Sequence, residues 1–300
     1  MGIDMKWEWN KETKLTLIAL IIGTIAGVLL TLLMKYIKGE NVTHSVITYN
    51  IKYDDRSVDE NSWIMRKEGM VNLINSISPD ILGIQEGLLH QVDYLDTNLD
   101  NFKYVGVGRD DGNKKGEFCA IYYNKNKYRL IKSSTFWLSE NPSNVSIGWD
   151  AALERICTYA QFETLNGKNK IWVFNTHFDH FGMTAREQSA KLLIKKIRNI
   201  NTDGEPTVVM GDFNALANSK EIEILKREFK DSMEISEKEH KGPPGTFNNF
   251  SPKQKIAKRI DYIFTYGMKT LFHEHVNKML DNGNHISDHL PVVTKMKIIY

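Results

Sequence analysis

The chain has 300 residues, a net charge of +2 and 41% hydrophobic residues. This length suits one large domain with a short appendage, and a core of that size needs neither disulfides nor metal to stay folded. The small net charge gives no independent argument for a nucleic-acid partner. Cys119 and Cys157 are the two cysteines, and both stand among apolar and β-branched residues. We interpret them as buried strand residues, with a disulfide between them left open.

The first predicted element is an apolar helix. Leu15–Met34 carries no charge, and at about 1.5 Å per residue such a run spans a hydrocarbon layer of about 30 Å. We therefore predict a flank over residues 1–14, a single-pass transmembrane anchor over 15–34 and a polar linker over 35–43. A cleaved signal peptide is the alternative, but its apolar region is normally shorter and ends in small residues. Here Met34-Lys35-Tyr36 follows instead, which favours a retained anchor.

The orientation of this anchor is nearly undetermined by charge. Lys11 and Lys14 precede the apolar run, and Lys35 and Lys38 follow it. Because the positive-inside rule compares these flanks, the two orientations are almost balanced. We prefer the orientation in which the domain that follows the anchor lies on the extracytoplasmic side of the membrane.

Residues 44–300 are interpreted as one domain in which strands outnumber helices, because no Pro/Gly-rich stretch divides them. Helices are predicted over Arg66–Ser78 and Thr184–Ile200 from the spacing of their apolar residues. The predicted strands are 45–50, 81–85, 118–123, 156–164, 171–176, 207–211, 260–264, 271–276 and 292–299. Two packed sheets with helices outside would bury all of them, which predicts an α/β class.

Polar residues recur directly after these apolar strands. They are Asn50, Glu86, His177, Asp212, Asn214, Asp261, Asp288 and His289. A single Asp or Asn after a strand is usually a turn or cap residue, and a single Glu is usually solvated. Six strand ends of this kind in one chain instead indicate one polar site that several strands supply.

These residue types suit phosphoester hydrolysis. Glu86, Asp212 and Asp288 offer the hard oxygen ligands that Mg²⁺ or Mn²⁺ prefers. Amides such as Asn50 and Asn214 can donate hydrogen bonds to phosphate oxygens without adding charge. Histidines such as His177 and His289 can donate to a phosphoryl oxygen or exchange a proton near neutral pH.

The ordered motifs Asn50, Gln85-Glu86, Thr176-His177, Gly211-Asp212-x-Asn214, Asp261-Tyr262 and Ser287-Asp288-His289 resemble the endonuclease/exonuclease/phosphatase family, to which deoxyribonuclease I belongs. The similarity covers about residues 44–299. Arg155, Asp179, His180 and Arg186 are similar to residues of the deadenylase-like bacterial branch. The resemblance implies a four-layer α/β sandwich, formed by two packed mixed sheets with flanking helices.

The resemblance also implies roles for the metal-facing residues. Glu86 would be the main metal ligand, with Asn50 beside it and Asp288 near the metal. Asn50 would also contact substrate. The implied cofactor is Mg²⁺ or Mn²⁺.

For the remaining residues, the resemblance implies contacts with the reacting phosphate. Asp212 would orient or deprotonate the attacking water, and Asn214 would hold phosphate. His177 and His289 would flank the phosphoryl group, with Asp261 supporting His289. Arg155 would face the substrate, or would instead be a surface strand arginine, which is an equally good interpretation of the sequence.

Three functions stay open at this point. The first is a phosphodiesterase acting on nucleic acid or nucleotides, for which basic residues near 109–115 and 253–259, with Phe247 and Trp149, offer charge and stacking. The second is a phosphodiesterase or phosphatase acting on lipid headgroups or phosphosugars at the membrane. The third is a membrane-tethered binding module without catalysis, against which the complete motif set argues. The basic clusters fit a solvated surface equally well.

Overall fold

The computed structural model describes residues 10–37, 42–56, 59–167 and 169–299, which divide into an N-terminal unit and a compact unit from Thr43 onward. In the N-terminal unit, helix α1 spans Lys11–Ile37. Its segment Lys11–Thr31 is long and apolar enough to cross a membrane, although a signal sequence would meet the same criterion. Residues 1–9 of the predicted flank and 38–41 of the predicted linker lie outside the described residues.

The compact unit contains two six-stranded sheets. The strands of sheet one, in spatial order, are β11 (Met268–His275), β12 (Val292–Ile298), β1 (Thr43–Asn50), β2 (Ile81–Gln85), β4 (Ile121–Asn124) and β3 (Phe102–Val105). The strands of sheet two are β5 (Tyr128–Trp137), β6 (Ile156–Thr164), β7 (Lys170–His177), β8 (Thr207–Asp212), β10 (Asp261–Tyr266) and β9 (Lys230–Asp231). Both sheets are mixed, since β1 and β2 run parallel, as do β7 and β8, while their other neighbours pair antiparallel.

Three apolar layers hold these elements together. The sheets pack on each other through residues such as Val46, Ile81, Val173 and Met210. On the outer face of sheet one lie α2 (Trp63–Ile77) and α3 (Leu89–Asn98), which bury Met70 and Leu95 among others. On the outer face of sheet two lie α4 (Met183–Ile200) and α5 (Lys220–Lys226), which bury Leu193 and Leu225 among others. This is the predicted four-layer sandwich.

The predicted elements are present, with shifted ends. The strand predicted over 118–123 begins only at Ile121, since Phe118 forms isolated bridges with Gly87 and Gly108. Strand β11 begins at Met268, and its pairing with β12 shifts register between Thr270 and Phe272. Strands β3, β5 and β9 and helices α3 and α5 have no counterpart among the predicted elements. Cys119 and Cys157 are both buried and free, but only Cys157 lies on a strand as predicted, since β4 begins after Cys119.

The two sheets are joined by polar contacts where the parallel strands end. Gln85 Nε2 at the end of β2 donates to Asn175 Oδ1 on β7 at 2.7 Å. Asn175 Nδ2 in turn donates to the carbonyls of Ile84 and Ala120. A Cβ at Gly83 would lie 2.4 Å from Met210 Cε, so a glycine here permits the close approach of the sheets. The carboxyl ends of β1, β2, β7 and β8 therefore deliver their next residues to one shared rim.

Candidate active site

A cavity of about 880 Å³ opens at this rim. Its wall carries carboxylates, amides, imidazoles and cationic groups together. The polar side chains are Lys52, Tyr53, Glu86, Arg109, Glu117, Arg155, His177, His180, Asp212, Asn214, Asn249, Lys258, Asp288 and His289. The predicted residues are thus brought together, with Asn50 and Asp261 directly behind the wall.

Asp212 lies at the centre of this arrangement. Its Oδ1 accepts the Asn214 backbone N–H at 2.9 Å, and its Oδ2 accepts Asn50 Nδ2 at 3.0 Å. The nearest nitrogens of His177 and His289 lie 3.5 Å and 3.8 Å from Oδ2. Burial, followed by the negative charge of Asp261, raises the pKa of Asp212 to about 7, although His289 and the two hydrogen bonds oppose this. A carboxylate with this pKa can exchange a proton near neutral pH.

Glu86 and Asp288 face one another across a single cation, the Lys52 ammonium. Lys52 Nζ lies 3.7 Å from Glu86 Oε2 and 3.6 Å from Asp288 Oδ2. Burial opposes the charged form of Glu86, but the Lys52 charge and the Asn50 hydrogen bond outweigh it and lower the pKa of Glu86. Burial raises the pKa of Asp288, and the Glu86 charge adds to that.

The donor set fits a divalent cation. Asp288 and Asp212 are buried carboxylates whose pKa values are raised first by burial and then by a neighbouring carboxylate, Glu86 and Asp261 respectively, so the nearby cations do not fully offset these effects. A bound divalent ion would supply positive charge that favours the ionised carboxylates, and it would find the oxygen ligands that Mg²⁺ or Mn²⁺ takes. Asn50 is fully buried, and its Oδ1 already accepts the Lys52 N–H at 3.0 Å. In the described arrangement its amide therefore orients Glu86 and Asp212, and its direct contact with metal or substrate stays a prediction.

His289 is held by Asp261. The Nδ1 atom of His289 lies 2.8 Å from Asp261 Oδ2, and both side chains are buried. Burial disfavours the imidazolium, but the charges of Asp261 and Asp212 outweigh it and raise the pKa of His289 well above its usual value. Asp288, although adjacent in sequence, contacts Lys52 and Ser287 instead. Neighbouring residues at a strand edge thus point to different partners.

His177 has the opposite electrostatic character. Burial and the positive charges of Arg155 and Arg109 lower its pKa well below the usual value, so its imidazole is neutral. Asn214 Nδ2 donates to His177 Nε2 at 3.0 Å and to the Phe178 carbonyl at 3.1 Å. This hydrogen bond assigns the proton to Nδ1, which is buried without a hydrogen-bond partner. The site therefore holds one neutral and one cationic imidazole.

Arg155 is a cavity residue rather than a surface strand arginine. It is 4% exposed, and its Nε donates to Asp179 Oδ2 at 3.2 Å while Nη2 lies 2.8 Å from His180 Nδ1. Nη1 is buried without a partner, which leaves a donor in the cavity wall. Asp179 also accepts the N–H groups of Phe181 and Gly182, which positions the turn before α4.

Four non-glycine residues of this wall adopt left-handed backbone conformations. The φ angles are 57° at Lys52, 63° at Glu86, 48° at Asn214 and 53° at Asn249. Such conformations cost about 1–3 kcal/mol each, and they are found mainly where a side chain must be aimed at a functional site. The three strand ends that carry Lys52, Glu86 and Asn214 are therefore bent to direct them into the cavity.

Sequence reasoning missed four polar residues of the cavity, Tyr53, Asn249 and the two charged residues Lys52 and Glu117. Lys52 stands two residues after Asn50, and Glu117 precedes Phe118 and binds Arg109 at 2.7 Å. Lys52 follows an apolar run and Glu117 precedes one. A position beside an apolar run is the same signal that identified the other site residues. Of the proposed basic and aromatic contacts, Arg109, Lys258 and Phe247 line the cavity. The side chains of Lys114, Lys115, Lys253, Lys255 and Trp149 are not part of its wall.

The strand order, the converging strand ends and this set of carboxylates, amides and imidazoles define a fold and site of the endonuclease/exonuclease/phosphatase type. The model of the Endonuclease/Exonuclease/phosphatase family matches residues 47–289, so the chain belongs to this family, as the sequence motifs predicted.

Individual members resemble the chain over most of its length. An endonuclease/exonuclease/phosphatase family protein of Bacteroides thetaiotaomicron has a TM-score of 0.81 and 31% identity, over 85% of this chain and 95% of that chain. A mannosyl-6-phosphatase of the same organism has a TM-score of 0.80 and 31% identity, over 86% of this chain and all (100%) of its own. The Ccr4 3'-5'-exoribonuclease subunit of Kluyveromyces lactis is 23% identical over 79% of this chain. The chain spans 59% or less of the length of the curated relatives that it matches.

Proposed function

We propose that this protein is a divalent-metal-dependent phosphoester hydrolase in which an activated water attacks phosphorus in line with the leaving group. The observation that carries the proposal is Asp212, a buried carboxylate whose Oδ2 lies 3.5 Å from His177 and 3.8 Å from His289, two imidazoles of opposite charge state. Burial raises the pKa of Asp212 to about 7 in the metal-free protein, and a bound divalent ion would lower that pKa and favour the carboxylate. The carboxylate form of Asp212 is suited to accept a proton from the attacking water.

The other residues stabilise charge on the phosphoryl oxygens. His289, cationic and fixed by Asp261, and the free Nη1 of Arg155 would donate to these oxygens, as would the Nδ1–H of the neutral His177. Preorganised donors in a water-poor site are generally the largest source of catalysis. Glu86 and Asp288 would hold the divalent ion, which when bound supplies positive charge that polarises the phosphoryl group.

Nucleotide or nucleic-acid phosphodiesters are the first candidate substrates. Arg109, Lys258 and the aromatic ring of Phe247 line one cavity, which offers charge and stacking to a nucleotide. The similarity to a 3'-5'-exoribonuclease subunit supports this choice.

Sugar phosphates are the second candidate, and the comparison with the mannosyl-6-phosphatase favours them specifically. That enzyme is similar over its whole length at 31% identity. A cavity of about 880 Å³ also accommodates a small phosphorylated molecule.

We further infer that α1 anchors the protein in a membrane, with the catalytic domain on the extracytoplasmic side.

Purified full-length protein in detergent tests the proposal against bis(p-nitrophenyl) phosphate, a dinucleotide, p-nitrophenyl phosphate and mannose 6-phosphate, each with Mg²⁺ or Mn²⁺. We expect turnover that EDTA abolishes and that Glu86→Gln removes. Glu163→Gln is the matched control and should retain activity. Glu163 lies on β6, and its carboxylate pairs with Arg129 of β5. Turnover that survives EDTA would refute metal dependence, and the diester-to-monoester ratio decides between the two substrate classes.

A further inference from the structure

Three histidines cluster outside the cavity, at the β11 edge of sheet one. His273 and His275 lie two residues apart on β11 and share one face of it. His240 comes from the segment that runs alongside β11, where His275 N–H donates to the Lys241 carbonyl at 3.0 Å. The centroids of the three rings are 4.5 to 5.1 Å apart.

The ring nitrogens of this cluster approach each other closely. Nδ1 of His240 lies 3.0 Å from Nδ1 of His273, and one nitrogen from each of the three rings lies within 4.8 Å of the others. Zinc–nitrogen bonds are about 2.0–2.1 Å long, so two nitrogens on one tetrahedral ion are about 3.3 Å apart. Small ring rotations would therefore bring three nitrogens onto one ion.

The outer nitrogens of two rings are already fixed by a backbone carbonyl. The Pro243 carbonyl accepts hydrogen bonds from His240 Nε2 at 3.1 Å and from His275 Nδ1 at 2.8 Å. A carbonyl only accepts, so these two nitrogens carry protons and the lone pairs are on His240 Nδ1 and His275 Nε2. His275 Nε2 is buried with no partner, which is a costly arrangement in a metal-free protein. Metal-ligating histidines commonly donate their second N–H to a carbonyl in this way.

From this geometry we propose that His240, His273 and His275 bind a transition-metal ion of the zinc type, separate from the catalytic ion. Three imidazoles with one open position suit zinc better than Mg²⁺, which prefers oxygen ligands. Because His240 Nε2 and His275 Nδ1 donate to the Pro243 carbonyl, the lone pairs of His240 Nδ1 and His275 Nε2 are available to an ion. In this arrangement His273 Nδ1 carries the proton that it donates to His240 Nδ1, and binding of the ion would move that proton to His273 Nε2, so that all three imidazoles bind as neutral ligands.

The ion would link β11 to the segment 240–247, which reaches the catalytic cavity. Gly242 has a φ of 89°, and a Cβ there would lie 2.0 Å from the His275 carbonyl oxygen, so glycine is required for this segment to run against β11. The same segment continues to Phe247, whose ring packs 5.1 Å from that of His289. His240 is partly exposed and gives the ion a route from solvent. The site would therefore stabilise one wall of the cavity without taking part in catalysis.

Metal analysis of the full-length protein in detergent tests this proposal. The protein is stripped with EDTA, incubated with zinc in the presence of excess Mg²⁺ and desalted, and zinc per chain is measured by mass spectrometry. We expect one retained zinc ion in the wild type and at least tenfold weaker retention in His240→Gln. His90→Gln, which removes an exposed histidine elsewhere, is the matched control and should retain zinc like the wild type. Glu86→Gln should also retain it, because the catalytic cavity is not the site measured.

A second measurement, of the unfolding temperature, distinguishes loss of the zinc site from misfolding of the variant. Zinc should raise the unfolding temperature of the wild type and of Glu86→Gln but not of His240→Gln, whose unfolding temperature in EDTA should match the wild type. Cobalt in place of zinc should give the visible absorption of a tetrahedral site in the wild type and in Glu86→Gln, but not in His240→Gln. The proposal is overturned if the wild type retains no zinc, if His240→Gln retains as much, or if Glu86→Gln alone abolishes retention.

Discussion

The pairing of Asp261 with His289 yields the sharpest prediction about catalysis. The carboxylate and imidazole are buried and 2.8 Å apart, while the far nitrogen of the ring lies 3.8 Å from Asp212. Asp261 itself does not line the cavity; its side chain contacts the ring that it positions and keeps charged, and its charge also raises the pKa of Asp212. We therefore expect the two residues to behave as one unit.

The expected magnitude follows from the role of His289. Positioned acid–base groups contribute about 10²–10⁴-fold in rate, which is about 3–5 kcal/mol of activation free energy. His289→Ala should lose that much in kcat. Asp261→Asn keeps the shape but removes the charge, so it should lose a smaller part of the same contribution. The double variant should be little slower than His289→Ala, because residues that act as a unit are not additive.

Steady-state kinetics of the four proteins, with saturating Mg²⁺ or Mn²⁺, measure this cycle. Asp80→Asn is the matched control, since Asp80 is also a buried aspartate paired with a cation, Lys127, but lies at the start of β2 away from the cavity. It should lower stability and leave kcat nearly unchanged. Losses that multiply fully in the double variant would refute the assignment of Asp261 as the positioning residue of His289.

Four further outcomes are expected. Asp288→Asn should raise the Mg²⁺ concentration needed for half-maximal activity, seen in a metal titration of kcat, because it removes a ligand charge; an unchanged titration would mean that Asp288 does not face the metal. Gly211→Ala should destabilise the domain and reduce activity, as its Cβ would lie 2.0 Å from the Thr176 carbonyl oxygen at a φ of 150° beside Asp212; a wild-type unfolding midpoint contradicts this. Acid should destabilise the metal-free protein: the folded-state pKa values of about 2 for His273 and about 3 for His275 lie below the usual 6.5, so only the unfolded state takes up protons as pH falls below 6.5. Each of the two histidines should therefore lower the free energy of unfolding by about 2 kcal/mol between pH 7 and pH 5, measured by denaturant unfolding in EDTA. A free energy of unfolding that does not change with pH would exclude this effect. Finally, the full-length protein should stay in the membrane pellet after alkaline carbonate washing because of α1, whereas release at full length would indicate a peripheral protein and a shortened N-terminus a cleaved signal.

Much of the site was predictable because its residues flank recognisable strands. Asp212 ends β8 and Asn214 follows it, as predicted, whereas Asp288 and His289 precede β12 and Asp261 begins β10 instead of following a strand. Strand ends of one sheet edge meet in space. The α/β sandwich was predictable for a related reason, since alternating apolar strands and two amphipathic helices have few ways of being buried. The apolar run of α1 is likewise a property of composition alone.

Tertiary structure alone decided which partners these residues have. Arg155 has an ambiguous sequence context, and only the turn that places Asp179 and His180 beside it makes it a buried cavity residue. Glu117 enters the cavity from a loop, where no periodicity marks its direction.

The charge states also depend on contacts that the sequence does not encode locally. His177 and His289 are the same residue type, yet one is neutral beside two arginines and the other is cationic beside two aspartates. The histidine cluster is a second example, because His240 is far from β11 in sequence and is brought beside it by long-range contacts such as the backbone pairing of Lys241 with His273 and His275. A sequence thus determines which elements form and which residues stand at their ends, whereas pKa values and ligand sets arise from long-range neighbours in a buried, poorly screened environment.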